Sequence, residues 1–345
     1  MEHTETRKPK TNETYNGLIL TVNPFFMDSI RLALDWTPNT NHTGFYVAMA
    51  NGYYRDAGLT VDITTPEADK YKSTPARRLA HGEVDMAIMP SESVVSFHTT
   101  TPTVPLVAVA AVLARDASAI VTLQQSGIER PAQLDGKVYG SYGARFEDDL
   151  IRQIIRNDGG RGVIATHKPT RLNLWQSLLT NEIDATWIIL PWEGLQADLN
   201  DVKLNRFLLD DYEVPYGYSP VLATRQDLID QKPDVLQRFI EATGTGFRFA
   251  VKQPDEAAQL LIEMTNHPTL SDHGFVELSQ QTVAGYYLDT AGHWGKMRRE
   301  VWVQFVNYLI RHRMIVNSEG EIVMQLDINK LFTNQFVQNL PSVRI

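Results

Sequence analysis

The chain of 345 residues is long for a single hydrophobic core, so two lobes are expected. Its 32 Lys and Arg against 41 Asp and Glu leave a formal charge of −9, which argues against a nucleic-acid partner, because neutralising phosphates needs a basic surface. It contains no cysteine, which excludes disulfides, thiolate metal ligands and a cysteine nucleophile together.

Residues 1–28 are polar and charged, with no apolar stretch of the kind a secretion signal carries, and read as a flexible leader in which Leu18 to Val22 docks as an edge strand. No later run approaches the roughly 20 apolar residues that span a bilayer, so the expectation is a cytoplasmic protein with no membrane span. From Ser29 the pattern becomes regular. Ile30 to Trp36 reads as a strand that stops on an acid and an indole, Asp35 and Trp36, ahead of Pro38 and Asn39. A strand end of that kind delivers both side chains to the carboxyl edge of a sheet, where open α/β sheets bind ligands. The alternative is a core tryptophan beside a solvated acid.

A helix from His42 to Ala57 follows, with Phe45, Val47, Ala48, Met49 and Tyr53 on one face, then Gly58 at its end and a strand over Leu59 to Ile63. Thr74 to His81 and Val84 to Met89 repeat the helix and strand. The strand ends in Pro90-Ser91-Glu92-Ser93, where Ser91 or Ser93 is placed to cap a helix through His98. Glu92 there is either a first-turn acid favoured by the helix dipole or a ligand acceptor. The apolar runs Val104 to Val112 and Ala119 to Leu123 carry the chain from one lobe into a second. The division expected is 29–115 with 220–345 as one lobe and 116–219 as the other.

In the second lobe, Gly136 to Gly140 opens a strand and Phe146 to Asn157 is an amphipathic helix. The turn between them, Ser141-Tyr142-Gly143-Ala144-Arg145, has the form of an anion cradle: small residues, a helix start and a guanidinium fork. It lacks the spacing and lysine of a nucleotide P-loop, and an ordinary turn with a surface arginine is the other reading. Gly162 to Thr166 is a strand and Leu172 to Leu179 a helix. Ala185 to Leu190, which contains Trp187, is a buried strand that closes on Pro191-Trp192-Glu193-Gly194, again an aromatic and a carboxylate at a strand end. After Tyr216 and Tyr218, Val221 to Thr224 returns to the first lobe. Helices over Pro233 to Lys252, Pro254 to Met264, Ser271 to Tyr287 and Trp294 to Arg313, with a last one over Leu331 to Val337, are expected to pack on the outside of lobe one.

Leu34-Asp35-Trp36 with His42, Gly52-Tyr53-Tyr54 with Gly58-Leu59, and Gly82-Glu83-Val84-Asp85-Met86-Ala87 resemble the thiamine-pyrimidine family, which includes periplasmic pyrimidine-binding proteins of ABC importers and fungal thiamine pyrimidine synthases. The resemblance covers roughly Ile30 to Leu260. It implies an α/β, type II periplasmic-binding-protein fold, each lobe a mostly parallel sheet flanked by helices, with the ligand cleft at the hinge. The synthases hold pyridoxal phosphate on a lysine and consume a histidine, and these places fall here at Met89 and Ser93, which can form neither an imine nor donate an imidazole. Their cysteine-rich iron segment falls near Tyr216-Gly217-Tyr218-Ser219. An ABC importer is not expected as partner in the absence of a visible signal peptide, and a homodimer is left open.

The function expected is capture of a thiamine pyrimidine precursor or related aromatic heterocycle. Trp36 stacks on one face of the ring and Trp187 or Trp192 on the other, while Asp35, Glu92 or Glu193 accepts an amine. His42, Ser91, Ser93, Tyr216 and Tyr218 complete the candidate site. If the ligand is phosphorylated, Tyr142, Gly143, Ala144 and Arg145 hold it. The alternative is a pyrimidine synthase using pyridoxal phosphate with a different residue set, for which Lys70 or Lys72 would form the imine. The nine histidines are scattered and neither HExxH nor GxSxG occurs, so no metal or catalytic triad is assigned.

Overall fold

Strands of an α/β sheet that are covered on both sides must be apolar on both faces. Met86–Met89, Leu106–Ala111 and Ser118–Leu123 meet that demand, each buried at every position. The computed structural model describes residues 27–169 and 173–343. The strand expected at Leu18 to Val22 and the helix start expected at Leu172 lie outside them.

The strands in chain order are β1 (Asp28–Ala33), β2 (Leu59–Thr64), β3 (Met86–Met89), β4 (Leu106–Ala111), β5 (Ser118–Leu123), β6 (Val138–Gly140), β7 (Ala165–His167), β8 (Ala185–Ile189), β9 (Leu204–Phe207) and β10 (Val221–Arg225). They form two five-stranded sheets, ordered β2-β1-β3-β10-β4 and β7-β6-β8-β5-β9. In the first, β1 runs parallel to β2 and β3 while β10 is antiparallel to β3 and β4. In the second, β6 runs parallel to β7 and β8 while β5 is antiparallel to β8 and β9. Each sheet is thus four parallel strands and one antiparallel strand, and the antiparallel one is the strand that arrives from the other sheet. The chain crosses between β4 and β5 and returns between β9 and β10. Because β1 and β3 are neighbours while β2 lies on the far side of β1, the connections leaving β1 and β3 diverge there; β6 and β8 make the same arrangement in the second sheet. Such a divergence opens a crevice at the carboxyl ends of the strands.

The helix expected over His42 to Ala57 is broken. A 3-10 turn at Thr40–His42 leads into the helix Thr43–Ala50, and Gly52, at φ 73°, turns the chain into a second short helix, Tyr53–Asp56. Only glycine takes that conformation readily. Helices Pro233–Lys252, Pro254–Thr265 and His273–Tyr287 pack with Thr43–Ala50 on one face of the first sheet, around Phe45, Phe239, Phe247 and Tyr287.

The helix Arg299–Arg311 does not join them outside lobe one. Its apolar row Trp302, Phe305, Val306 and Leu309 lies in one cluster with Val94 and Val95 of helix Ser91–Phe97 and with Leu150, Ile151, Ile154 and Ile155 of helix Glu147–Asn157, so it bridges both sheets. Leu331 to Val337 is not a helix either. Leu331 and Thr333 hydrogen-bond the backbone of Ala108 at 2.9 Å each, covering the edge strand β4. An exposed edge carries unpaired N–H and C=O groups, and these competed successfully with local helix formation.

Candidate functional site

β1 ends at Ala33, and Asp35 and Trp36 lie in the bend that follows. The Asn39 side chain accepts the Asn41 N–H at 2.9 Å, which starts the 3-10 turn and buries His42 completely. The Asn39 N–H donates to His42 Nδ1 at 3.3 Å, so the ring proton sits on Nε2 and is donated to Asp35 Oδ1 at 2.8 Å. His42 therefore stands behind Asp35 and aims it; it does not line the cleft, contrary to its place in the expected site. The Trp36 ring lies 5.9 Å from Tyr71 and 5.8 Å, edge-on, from Tyr142 of the second lobe.

β3 leads into helix Ser91–Phe97, whose N-cap is Pro90 with no side-chain cap. Neither Ser91 nor Ser93 caps it, because both already stand inside the first turn. Ser91 is fully buried, its Oγ without a partner and facing the backbone of Gly217, where an added Cβ would come within 2.3 Å. Glu92 is 2% exposed, and its Oε2 has no hydrogen-bond partner although it lines the cleft. Burial, reinforced by the charge of Glu147, pushes its pKa up to about 8.

The turn after β6 is built around Glu147, the first residue of helix Glu147–Asn157. Its carboxylate accepts the Tyr139 hydroxyl at 2.9 Å, the Tyr142 N–H at 3.0 Å and the Ala144 N–H at 3.1 Å. The Gly143 N–H is held by Ser141 Oγ at 3.0 Å. Burial holds the Glu147 carboxyl above its usual range, with these hydrogen bonds working in the opposite direction. Arg145 turns away from the cleft to Ser96 Oγ, at 3.1 Å, and to the Val316 carbonyl. The expected phosphate grip by Gly143 and Arg145 is thus corrected: Gly143 and Arg145 are exposed outside the cleft, while Tyr142 and Ala144 line it. Arg145 ties the two lobes together instead.

β8 closes on a π-helical turn, Leu190–Gly194. Trp187 packs against Tyr216 at 5.0 Å and Trp192 meets Phe275 edge-on at 4.7 Å. The Ile189 N–H donates to Glu193 Oε2 at 3.0 Å, and burial holds that carboxyl above its usual range. Burial also drives the Tyr216 phenol well up. Tyr218 is not at the cleft: it is buried behind it, where its hydroxyl accepts the Arg298 N–H at 2.8 Å.

The result is a cleft of about 200 Å³ between the two sheets. Of the residues singled out from the sequence, Asp35, Trp36, Glu92, Tyr142, Ala144, Trp187, Trp192, Glu193 and Tyr216 line it; His42, Ser91, Ser93, Gly143, Arg145 and Tyr218 do not. Asn39, Asn41, Glu147 and Ser219 line it and were missed. The available signal for Glu147 was its position at the helix start, three residues beyond Ala144, where a carboxylate can reach back to free N–H groups. Among the described residues, the lining contains four carboxylates and no lysine or arginine. Lys70 and Lys72 are exposed and do not line the cleft, and Met89 is buried at the end of β3. A pyridoxal phosphate held as an imine does not fit this lining, which offers it neither an amine nor a free anion site.

A family model described as NMT1/THI5 like matches residues 39–257. The chain is 25% identical over 292 residues to the formylaminopyrimidine-binding protein of Halalkalibacterium halodurans, covering 83% of this chain and 86% of that one. It is 21% identical over 327 residues to the 4-amino-5-hydroxymethyl-2-methylpyrimidine phosphate synthase of Legionella pneumophila, covering 90% and 93%. Among solved structures, the ligand-binding component of an ABC-type import system from Staphylococcus aureus superposes with a TM-score of 0.61 at 14% identity, covering 91% of this chain and 99% of that one.

Proposed function

We propose, from the premise that the chain belongs to the NMT1/THI5-like family, that it binds an aminopyrimidine precursor of thiamine in the cleft between its two sheets. The observation that carries this reading is Glu92: a carboxyl buried in an aromatic-walled cleft with one oxygen unpartnered is destabilising until a ligand engages it. A 4-aminopyrimidine offers the match. Its exocyclic amine donates to one carboxyl oxygen while the adjacent ring nitrogen shares a proton with the other, and a carboxyl with its pKa near 8 supplies that proton at neutral pH. Trp36, Trp187 and Trp192 provide flat apolar surface for the ring, and Asp35 and Glu193 are further acceptors for substituent N–H groups. The names of the binding-protein and synthase relatives support the same ligand class.

Binding is favoured over turnover because the cleft lining, among the described residues, contains no lysine to hold pyridoxal phosphate. Similarity to an ABC-type import component supports an importer as partner, in place of the importer-free cytoplasmic role read from the polar amino terminus. No helix among the described residues is long and apolar enough to cross a membrane.

Isothermal titration with 4-amino-5-hydroxymethyl-2-methylpyrimidine and its formylamino counterpart tests the reading. Saturable binding to the wild-type protein is expected, and Trp36→Ala should weaken it about 10- to 100-fold by removing a ring-stacking wall. Absence of heat and of any thermal stabilisation by either pyrimidine at millimolar concentration would remove the proposal.

A further inference from the structure

Three consecutive backbone N–H groups at a strand-to-helix turn, Tyr142, Gly143 and Ala144, have the form of an anion-binding cradle, but the protein has filled it. Glu147 takes the N–H of Tyr142 on Oε1 and that of Ala144 on Oε2, and Ser141 Oγ takes the one between. The Tyr139 hydroxyl fixes the carboxylate from below at 2.9 Å. Among the described residues, two cations beside the turn are engaged elsewhere: Arg145 with Ser96 and Val316, and Lys168 with Asp148 at 2.9 Å.

We propose that Glu147 is a specificity-determining residue, a built-in anion that occupies the phosphate position and makes the cleft take unphosphorylated, amine-bearing rings while refusing phosphorylated ones. The inference rests on reading this cleft as the ligand site. A phosphate ester entering here would have to displace Glu147 from three hydrogen bonds and lie beside Asp35 and Glu193, with no cationic side chain among the described residues of the lining. An amine gains from the same acids. The carboxylate sits at the start of an 11-residue helix, so the helix dipole that would have favoured a bound phosphate favours Glu147 instead.

The test compares 4-amino-5-hydroxymethyl-2-methylpyrimidine with its monophosphate by calorimetry on the wild type, on Glu147→Ala and on Glu147→Gln. The wild type is expected to prefer the unphosphorylated ring by about 100-fold or more, and Glu147→Ala to shrink that preference about tenfold or more by gaining affinity for the ester. If the alanine variant does not fold, the glutamine variant, which keeps the volume and removes the charge, is expected to shift the preference in the same direction. Equal wild-type affinity for the two ligands, or an unchanged preference in a folded variant, overturns the proposal. Inorganic phosphate separates this failure from that of the pyrimidine reading. Phosphate should raise the melting temperature of Glu147→Ala and not that of the wild type, whichever heterocycle binds; a wild type stabilised by phosphate, or an alanine variant that is not, overturns the filled cradle by itself.

Discussion

Replacing Glu92 with leucine is expected to make the ligand-free protein more stable at pH 7 to 9 while lowering affinity for an aminopyrimidine about 100-fold or more. Both effects have one cause. The carboxyl is buried with Oε2 unpartnered, so removing it relieves a desolvation penalty of about 1–3 kcal/mol. The same change leaves the amine of a bound ring without its acceptor, and a ligand donor buried without a partner is costly in the complex. The pH dependence has a definite sign. In the unfolded chain the carboxyl titrates at its ordinary value of 4.5, and in the fold at about 8. Between these values the folded state keeps a proton that the unfolded state has released, so stability falls as pH rises through this window, and the loss is complete above about 8. At about 1.4 kcal/mol per pKa unit the fall is several kcal/mol.

Asp116, pushed up by burial to about 6, and the raised carboxyls of Glu147 and Glu193 bend the same curve in the same direction. The limb near pH 8 belongs to Glu92 and should be missing from Glu92→Leu. Thermal melts from pH 5 to 9 read the difference. Parallel curves for the two proteins, together with affinity unchanged within about threefold, would defeat both the buried-acid account and the ligand role.

The second large effect lies away from the cleft. Gly246→Ala is expected to destabilise the fold by about 3 kcal/mol or more and to lower the melting temperature by roughly 5–10 °C. Helices Thr43–Ala50 and Pro233–Lys252 cross in backbone contact: a Cβ on Gly246 would lie 2.0 Å from the Gly44 carbonyl oxygen, and one on Gly44 would lie 2.2 Å from the Phe247 ring. That ring cannot give way, because it is stacked at 4.8 Å on the buried Trp294 and edge-packed on Phe45 and Tyr287. The helices would have to separate. Since the first of them begins at the turn that carries His42, the separation should also misplace Asp35 and weaken ligand binding. Gly127→Ala is the control. It has the left-handed backbone, φ 70°, but nothing within 4 Å of the added carbon, so only the conformational penalty of about 1 kcal/mol applies. Equal melting temperatures for the two variants would refute the close-crossing account.

The uneven legibility of this chain follows from where each residue's partner lies. The strands were legible because their cause is local: apolar runs such as Leu106–Ala111 and Ser118–Leu123 are short, rich in β-branched residues and bounded by turn formers, which favours buried strands. Helix ends were less so. The break at Asn51-Gly52 needed the backbone conformation of one glycine, and the Leu331 to Val337 segment was drawn out of a helix by an unpaired strand edge more than 200 positions earlier.

At the cleft the same rule separates the residues that line it from those that do not. Trp36, Trp192 and Glu92 follow from their place just beyond the carboxyl ends of β1, β8 and β3, and strand direction brings them to one edge, with Trp187 inside β8 beside them. Direction within a loop depends on competition between partners. Arg145 is drawn out of the cleft by the distant Ser96 and Val316, and Tyr218 is taken by the Arg298 N–H, 80 positions away. By itself the sequence determined two α/β lobes whose acidic and aromatic strand ends face each other, because burial and turn chemistry act over a few residues. Only the tertiary structure decided that His42 aims Asp35 from behind, that Glu92 is left without a partner and that Glu147 fills the anion cradle. Each of those outcomes depends on which of several competing hydrogen-bonding groups a side chain ends up facing, and the Glu147 helix-start position, the one local signal among them, does not by itself say whether the carboxylate or a ligand takes the free N–H groups.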